Sequence, residues 1–213
     1  DANDMYFGLG QYADAVKSLE HVADIAAKYN KPIIVTESGS GYASSSGGED
    51  LSAFAANRLT ELYGTINMVY PQVKAILHFD NNLGGFMYSL NGNSTVKAAY
   101  DKATADNPTL VKSVGQSAPS FVKLNGASGL TGNITLKAYC DVPNQSVTVT
   151  YTIDGAQKGS SSAMPFGVNI DTASLSAGEH TLQVIFKASN GYSVTKTYSM
   201  VKDASGAVSF TQK

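Results

Sequence analysis

A glutamate at the end of a predicted buried strand is the residue of this sequence most suited to chemistry. Residues 31–39 read KPIIVTESG, so an apolar, β-branched run leads directly into Glu37. Such runs are typical of parallel strands covered on both faces, which carry their functional groups at the carboxyl end. Alternation would place Glu37 on the side of Ile33 and Val35. A carboxylate held there can act as a nucleophile or in proton transfer. The plain alternative is an acidic loop residue after an ordinary strand.

A second predicted strand, over 73–79, also ends in polar residues, because VKAILHF is followed by DNN. Alternation places His78 and Asp80 on one side, so both could approach Glu37 if the two strands are neighbours about 4.8 Å apart. His78 would then orient Glu37 or bind a hydroxyl group, and the alternative is a buried structural histidine that is hydrogen-bonded to the backbone. Asp80 would hydrogen-bond its neighbours or a ligand, with service as a substitute acid as the less favoured role.

Helical periodicity surrounds both strands and predicts the elements that position them. Apolar residues recur every third or fourth position over about 11–29, 51–66 and 94–106, with Asp50 and Ser94 as the expected N-caps. Helices that alternate with buried strands over short connections are typical of a (β/α)8 barrel or a doubly wound sheet.

Two strands cannot close either architecture. An eight-stranded barrel takes about 250 residues, whereas the α/β pattern here is confined to residues 1–112. We therefore expect a partial (β/α)8 barrel that contains the last units only, with its missing N-terminal units on another fragment or chain. That fragment, or a second copy of this chain, would cover the exposed strand edge.

The pattern changes after a polar linker at 113–119, because residues 120–213 have a period of two. Strands are predicted at 121–124, 134–140, 147–153, 168–170, 180–186 and 194–201. The dipeptides DG at 154–155 and NG at 190–191 are signals for two-residue hairpin turns. This pattern predicts a β-sandwich, so the whole chain is expected to be multidomain, α/β followed by all-β.

Few residues outside the two strand ends suggest a site. The single cysteine, Cys140, excludes an internal disulfide. Asp141, Asp154 and Asp171 lie at predicted turns, where side-chain hydrogen bonding to the backbone explains them; calcium binding is the alternative, without carboxylates at ligand spacing to favour it. His180 alternates within a predicted strand and is expected at its surface. We expect no metal and no other cofactor.

Composition narrows the partners and the compartment. Fifteen basic and seventeen acidic residues leave a formal charge of -2, and no basic block is present, so we expect neither nucleic acid nor an anionic membrane as a partner. No apolar run reaches the roughly 18 residues of a membrane span. The low charge and the many Gly, Ser, Thr, Asn and Tyr residues resemble secreted bacterial surface proteins. We expect a secreted or cell-wall protein, processed or cut at its amino terminus.

Three segments together resemble the last units of a clan A glycoside hydrolase barrel, closest to family 26. They read KPIIVTESG, FAANRLTELYGTINMVYPQVKAILHFDNN and MYSLNGNSTVKAAYDKA, and the resemblance covers residues 1 to about 106. It implies that Glu37 is the catalytic nucleophile and that His78 and Asp80 line the cleft. Because the sequence has no Trp, the rim residues Tyr42 and Tyr88, together with Phe86, would have to offer aromatic faces to a sugar. They are equally interpretable as packing residues.

The remaining part of the chain resembles bacterial immunoglobulin-like modules. The segments that carry the resemblance are VTVTYTIDGAQKG, MPFGVNIDTASLSAGEHTLQVIF and SNGYSVTKTYSMV. Such modules are mostly spacers or surface attachments, so the resemblance implies no chemistry for this part.

The barrel resemblance implies a retaining, endo-acting hydrolase of a β-linked polysaccharide such as β-mannan. Retention requires two carboxyl groups about 5.5 Å apart. The family's acid/base glutamate lies on a fourth strand that this chain does not contain, so we expect no hydrolysis from this chain alone. Residues 5–7 are further candidates for a place near the cleft. The missing Trp and the missing acid favour an alternative, a non-catalytic secreted carbohydrate-binding or cell-surface protein with a degenerate barrel.

Overall fold

The computed structural model describes residues 5–7, 15–44, 46–105, 107–111, 113, 115–118, 121–140, 142 and 145–213, with the backbone alone at 5–7 and 15. The chain divides into two compact units, Asp1–Phe121 and Val122–Lys213. Parts of the predicted linker, the side chains of residues 5–7 and the turn at Asp141 lie outside the described residues. No helix in the described ranges is long and apolar enough to cross a membrane.

The first unit is a parallel sheet with helices on one face. Its strands are β1 (Met5–Phe7), β2 (Ile33–Ser40), β3 (Ala43–Ser44), β4 (Val73–His78) and β5 (Phe86–Met87). Its helices are α1 (Ala15–Lys28), α2 (Ser52–Val69) and α3 (Ser94–Ala105). The order β1-β2-β4 is parallel throughout, and β3 pairs with β5 in a separate antiparallel pair. The predicted α/β pattern is therefore present, with β2 in the centre of the sheet.

Helix α1 follows its predicted periodicity where it is described. Val16, Leu19 and Ala23 are buried on one side, whereas the predicted start at 11–14 lies outside the described residues. The helix ends at Lys28. Asn30 follows in the left-handed region, with a φ of 49°, and the N–H of Lys31 donates to the Ala26 carbonyl at 2.8 Å. This is the hydrogen bond of a Schellman motif, so the chain leaves the helix directly into β2.

Helices α2 and α3 begin one residue away from the expected caps. The side chain of Asp50 accepts a hydrogen bond from the N–H of Ser52 at 2.9 Å, but the N-cap position itself is Leu51. In α3 the cap is Asn93, whose side-chain oxygen accepts from the N–H of Val96 at 3.1 Å, so the assignment to Ser94 was wrong. Aspartate, asparagine and serine side chains can all cap a helix, and the residue at which the first helical turn begins decides which of them does so.

One face of the parallel sheet packs against the helices, and the other is uncovered. Ile33, Val35 and Val73 belong to the core formed with α1, α2 and α3. On the opposite face Ile34 is 45% exposed and Leu77 is 50% exposed. Parallel sheets are normally covered on both faces, so this face of the first unit lacks its usual cover within the described residues.

The second unit is a β-sandwich. Its strands are β6 (Asn133–Ala138), β7 (Val147–Ile153), β8 (Ala156–Ser161), β9 (Phe166–Asp171), β10 (Gly178–Ala188), β11 (Ser193–Lys202) and β12 (Val208–Gln212). The order β12-β11-β10-β7-β8 forms one antiparallel sheet, and β6 pairs with β9 in the other. Val149, Tyr151 and Ile153 alternate into a core with Leu136 and Leu182, as the period of two predicted.

The sandwich also differs from the prediction in several places. Residues 121–124 form no strand, whereas β8 and β12 were missed because AQKGSS and VSFTQ lack long apolar alternation. The turn at 154–155 has positive φ at both residues, as a type I′ turn requires, so that prediction is confirmed. The loop at 190–191 is wider than a two-residue turn. His180 is buried rather than on the surface, because it binds a carboxylate at the first of these turns.

A buried tyrosine connects the two sheets of the sandwich and generates a test. The hydroxyl of Tyr151 donates to the carbonyl of Phe166 at 2.6 Å, and burial raises the pKa of this phenol. Tyr151→Phe leaves that carbonyl without its partner, so we expect the free energy of unfolding of the second unit to fall by about 1–2 kcal/mol. Native-state hydrogen exchange of β7 and β9 amides measures this unit separately. Tyr192→Phe, at a ring 63% exposed, is the matched control, and equal effects of the two variants would contradict the assignment.

Candidate functional site

Glu37 lies in the carboxyl-terminal half of the central strand β2, three residues before its last residue, and is exposed. Ile33 and Val35 are buried against the helices, so Glu37 does not share their side as strict alternation predicted. The pairing of β2 with β4 shifts register between Val35 and Ser38. This irregularity adds a residue to β2 and leaves Glu37 outside the helix-facing core. Glu37 therefore lies within β2, which continues to Ser40, rather than directly after a strand that ends at Thr36, and the alternation argument was wrong as well.

The backbone next to Glu37 is fixed by a buried hydrogen-bond chain. The hydroxyl of Ser38 donates to the Leu77 carbonyl at 2.9 Å, which uses its only hydrogen. The phenol of Tyr63, 3.1 Å from the same hydroxyl, must therefore be the donor to Ser38. Burial raises the pKa of Tyr63, which keeps that donor protonated. The N–H of Phe79 donates to the Ser38 carbonyl at 2.8 Å, so the residue that follows β4 is joined to β2 at this position.

His78 lies on the helix side of the sheet rather than beside Glu37. It pairs with Ser38 in register, and its ring is 4.9 Å from the ring of Tyr100 and 6.2 Å from that of Tyr63. Burial lowers the pKa of His78, although the nearby charge of Asp80 acts in the opposite direction. The predicted approach of His78 to Glu37 is not observed. The alternative, a buried histidine hydrogen-bonded to the backbone, is met only in the packing of the ring, because neither ring nitrogen has a hydrogen-bond partner within the described residues.

Asp80 organises the loop that follows β4. Its carboxylate accepts a hydrogen bond from the N–H of Leu90 at 2.7 Å. Asn82 acts in the same way, because its side-chain oxygen accepts from the N–H groups of Tyr88 and Ser89 at 3.0 and 3.1 Å. The polar run after β4 therefore closes its own loop, which is one of the two roles predicted for Asp80.

Tyr42 and Tyr88 are packing residues in the described structure. Tyr42 is 3% exposed and its hydroxyl donates to the Ser89 carbonyl at 3.1 Å; burial, and secondarily the charge of Asp80, raises its pKa. Tyr88 is 8% exposed, and its ring meets those of Phe79 and Phe86 edge to face at 6.3 and 6.4 Å. Neither phenol offers a free aromatic face, so the packing interpretation applies to both.

The loops after β2 and β4 form one rim. Ala43 pairs with Met87 and Ser44 with Phe86, and the N–H of Tyr42 donates to the Met87 carbonyl at 3.0 Å. Beside this rim, Glu37 is an exposed carboxylate that can attack an electrophilic carbon, provided that an acid from elsewhere protonates the leaving group. Among the described residues no three His, Cys, Asp or Glu side chains come together as a metal site would require.

Sequence reasoning missed the residues that support Glu37 and the rim. No role was predicted for Ser38, Tyr63 lay within a predicted helix, and Asn82 was grouped with a polar strand end. The available signal was the small buried residue directly after a strand-terminal glutamate, since a hydroxyl in that position must find partners on neighbouring elements.

The rim contains a close contact that can be tested. A Cβ atom on Gly92 would lie 2.2 Å from the Tyr42 hydroxyl oxygen, with the next ring atom at 3.5 Å. We expect Gly92→Ala to reduce the free energy of unfolding of the first unit by about 1–3 kcal/mol, because the added methyl group overpacks the site. In a Tyr42→Phe background the penalty should shrink by about 1 kcal/mol or more, since the clashing atom is absent.

A double-mutant cycle measured by native-state hydrogen exchange of α2 and α3 amides checks this expectation. The matched control is Gly92→Ala in a Tyr29→Phe background, because Tyr29 is 60% exposed. The same penalty for Gly92→Ala in both backgrounds would show that the Tyr42 hydroxyl does not define this contact.

Comparisons with known proteins identify the second unit more clearly than the first. A family model described as a bacterial Ig domain matches residues 124–184. No curated protein matches the chain. One solved structure, of fibronectin(III)-like modules of CbhA from Clostridium thermocellum, is 15% identical, with a TM-score of 0.32 over 39% of this chain and 92% of that chain.

Two mannanase structures are also similar. The endo-beta-1,4-mannanase from Thermotoga petrophila is 11% identical, with a TM-score of 0.30 over 91% of this chain and 45% of that chain. A double mutant of the Cellulomonas fimi endo-beta-1,4-mannanase is 17% identical, with a TM-score of 0.34 over 91% and 47%. The chain thus spans about half the length of these two enzymes, and likeness at such scores assigns neither fold nor activity. The second unit thus resembles a bacterial immunoglobulin-like module, because residues 124–184 match that family and the topology is that of a sandwich.

Proposed function

We propose that this chain is the carboxyl-terminal part of a retaining glycoside hydrolase, similar to family 26, that acts on a β-linked polysaccharide such as β-mannan. The observation that carries the proposal is the exposed Glu37 in the carboxyl-terminal half of the central parallel strand, toward the end at which barrel enzymes place their catalytic groups. The sequence resemblance of residues 1 to about 106 supports the same role. Secretion or attachment to the cell surface is part of the proposal.

In this mechanism Glu37 attacks the anomeric carbon of the sugar and forms a glycosyl ester, while the bond from that carbon to the leaving-group oxygen breaks. An acid protonates the leaving oxygen, and its conjugate base then removes a proton from the water that cleaves the ester. Asp80 is the other carboxylate near the strand ends, and it is engaged with the N–H of Leu90. We therefore assign the acid to upstream barrel units on another fragment or chain.

The missing units would also complete the sheet. Ile34 and Leu77 leave an apolar sheet face exposed, and no strand pairs with the outer edge of β4 within the described ranges. Barrel closure would cover that edge and bury this face. The hydrogen bonds that fix the backbone next to Glu37 matter for catalysis, because a nucleophile reacts faster when its geometry is fixed before the substrate binds.

A non-catalytic, secreted carbohydrate-binding or cell-surface protein is the second candidate. The contacts of the other predicted site residues favour this candidate, because they serve packing and loop structure. Tyr42 and Tyr88 pack the rim, His78 faces the helices and Asp80 closes a loop. In both candidates the immunoglobulin-like module serves as a spacer or a surface attachment.

Hydrolysis by the full-length protein tests the proposal. Glu37→Gln keeps the size of the side chain and removes the nucleophile, so we expect turnover of β-mannan to fall by at least about a thousandfold. The matched control is Glu49→Gln, an exposed glutamate in the loop after β3, which should keep full activity. Full activity in Glu37→Gln would remove this residue from the mechanism.

Chemical rescue distinguishes a nucleophile from a residue needed only for binding. With Glu37→Ala, an aryl glycoside and added azide, we expect a glycosyl azide of inverted configuration, because azide replaces the lost carboxylate at the anomeric carbon. Saturable glycan binding without hydrolysis by the unaltered full-length protein would instead support the non-catalytic candidate.

A further inference from the structure

The immunoglobulin-like unit contains a buried histidine between two acceptors. His180, near the start of β10, is 8% exposed. Its Nδ1 is 2.6 Å from Oδ2 of Asp154, and its Nε2 is 2.9 Å from the backbone carbonyl oxygen of Ser176. A carboxylate and a carbonyl can only accept hydrogen bonds, so both ring nitrogens have a donor's position. Only the doubly protonated, cationic imidazole satisfies both contacts at once.

The carboxylate of this cluster is itself fixed by the backbone. Oδ1 of Asp154 accepts from the N–H of Thr181 at 2.8 Å, and the N–H of Asp154 donates to the Thr181 carbonyl at 2.9 Å. The hydrogen bond from His180 and that from Thr181 lower the pKa of Asp154. Correspondingly, the hydrogen bond to Asp154, followed by that to Ser176, raises the pKa of His180.

Neighbouring charges hold the same segment from a second point. The ammonium group of Lys202 on β11 donates to the carbonyls of Thr172 and Leu175 at 2.9 and 2.7 Å. Its charge opposes protonation of His180, and Lys158 on β8 contributes to the low pKa of Asp154. The adjacent Glu179 is engaged with Ser199 and Lys213 instead. The cationic ring of His180 and the ammonium group of Lys202 therefore both bind backbone carbonyls of residues 172–176.

We propose that Asp154, His180 and Ser176 form a pH-sensitive latch, which holds the segment before β10 against the sandwich in mild acid and releases it in mild alkali. Loss of one proton from His180 leaves one ring nitrogen with a lone pair that faces an acceptor. The retained hydrogen stays on Nδ1, because the charged and nearer carboxylate of Asp154 is the stronger acceptor. The contact from Nε2 to the Ser176 carbonyl is therefore the one that breaks.

The release is local, because Lys202 keeps its contacts with the carbonyls of Thr172 and Leu175 on both sides of the transition. Residues 176–179 are exposed. Among the described hydrogen bonds, the one from His180 is the contact that connects Ser176 and Ala177 to the sandwich core. The segment that changes is thus the short turn that enters β10, rather than the whole sheet.

The pH window follows from the two directions of shift. A pKa of His180 above its ordinary 6.5 contributes stability that is complete below 6.5 and is lost as pH rises through the folded pKa. A pKa of Asp154 below its ordinary 3.8 contributes stability that is complete above 3.8 and is lost as pH falls through the folded pKa. The latch is therefore closed at pH values between the folded-state pKa of Asp154 and the folded-state pKa of His180.

Amide hydrogen exchange and ring NMR of the full chain test the latch. Protection factors at the first amides of β10, residues 178–180, corrected for intrinsic exchange, should fall by at least about tenfold between about pH 5.5 and about pH 8.5, because the turn that enters this strand is released. NMR should show a pKa of His180 above 6.5 and a neutral form protonated at Nδ1. Protection that does not change with pH, or a neutral form protonated at Nε2, would overturn the proposal.

Variants separate the latch from a general effect of pH on the fold. His180→Gln and Asp154→Asn should remove the pH dependence of protection at residues 178–180, whereas His21→Gln, at an exposed histidine in α1, should retain it. The wild-type NMR titration stands if either latch variant fails to fold. Equal pH dependence in His180→Gln and His21→Gln would sink the idea.

Discussion

The register shift in β2 is the constraint on which the candidate site depends. Val35 must face the helices because it fills their core, and Ser38 must face them because it bonds to Tyr63. These residues are three positions apart, so strict alternation would place them on opposite faces of the sheet. The irregularity between them satisfies both requirements. Glu37 therefore lies outside that core, next to a serine whose hydroxyl is held by two hydrogen bonds.

The rim shows how polar side chains at strand ends can build structure rather than chemistry. The side-chain oxygens of Asp80 and Asn82 accept hydrogen bonds from backbone N–H groups. A loop without regular structure would otherwise leave these groups unsatisfied. Tyr42 adds a hydrogen bond to the same loop, and Gly92 leaves room for its hydroxyl. The loop is therefore shaped by local hydrogen bonds, and the carboxylate of Asp80 is engaged with the backbone of that loop.

Element types were predictable from periodicity, and side-chain directions were not. The helices and the strands over 33–36 and 147–153 follow from apolar spacing of 3.6 and 2. The direction of Glu37 depends on a one-residue shift that leaves no mark in a pattern of apolar residues. The burial of His180 depends on Asp154 of another strand pair, a contact that no local spacing encodes. Residues that obey local periodicity were placed well, whereas residues bound by distant partners were not.

The uncovered sheet face has a practical consequence for handling the protein. Ile34 and Leu77 lie beside the unpaired outer edge of β4 within the described ranges, so apolar surface and open backbone hydrogen-bonding groups occur together. That combination is a template for adding strands from other molecules. Concentrated samples of this chain by itself will therefore favour edge-to-edge aggregates seeded from the first unit, and solubility will depend on what else is present to occupy that edge.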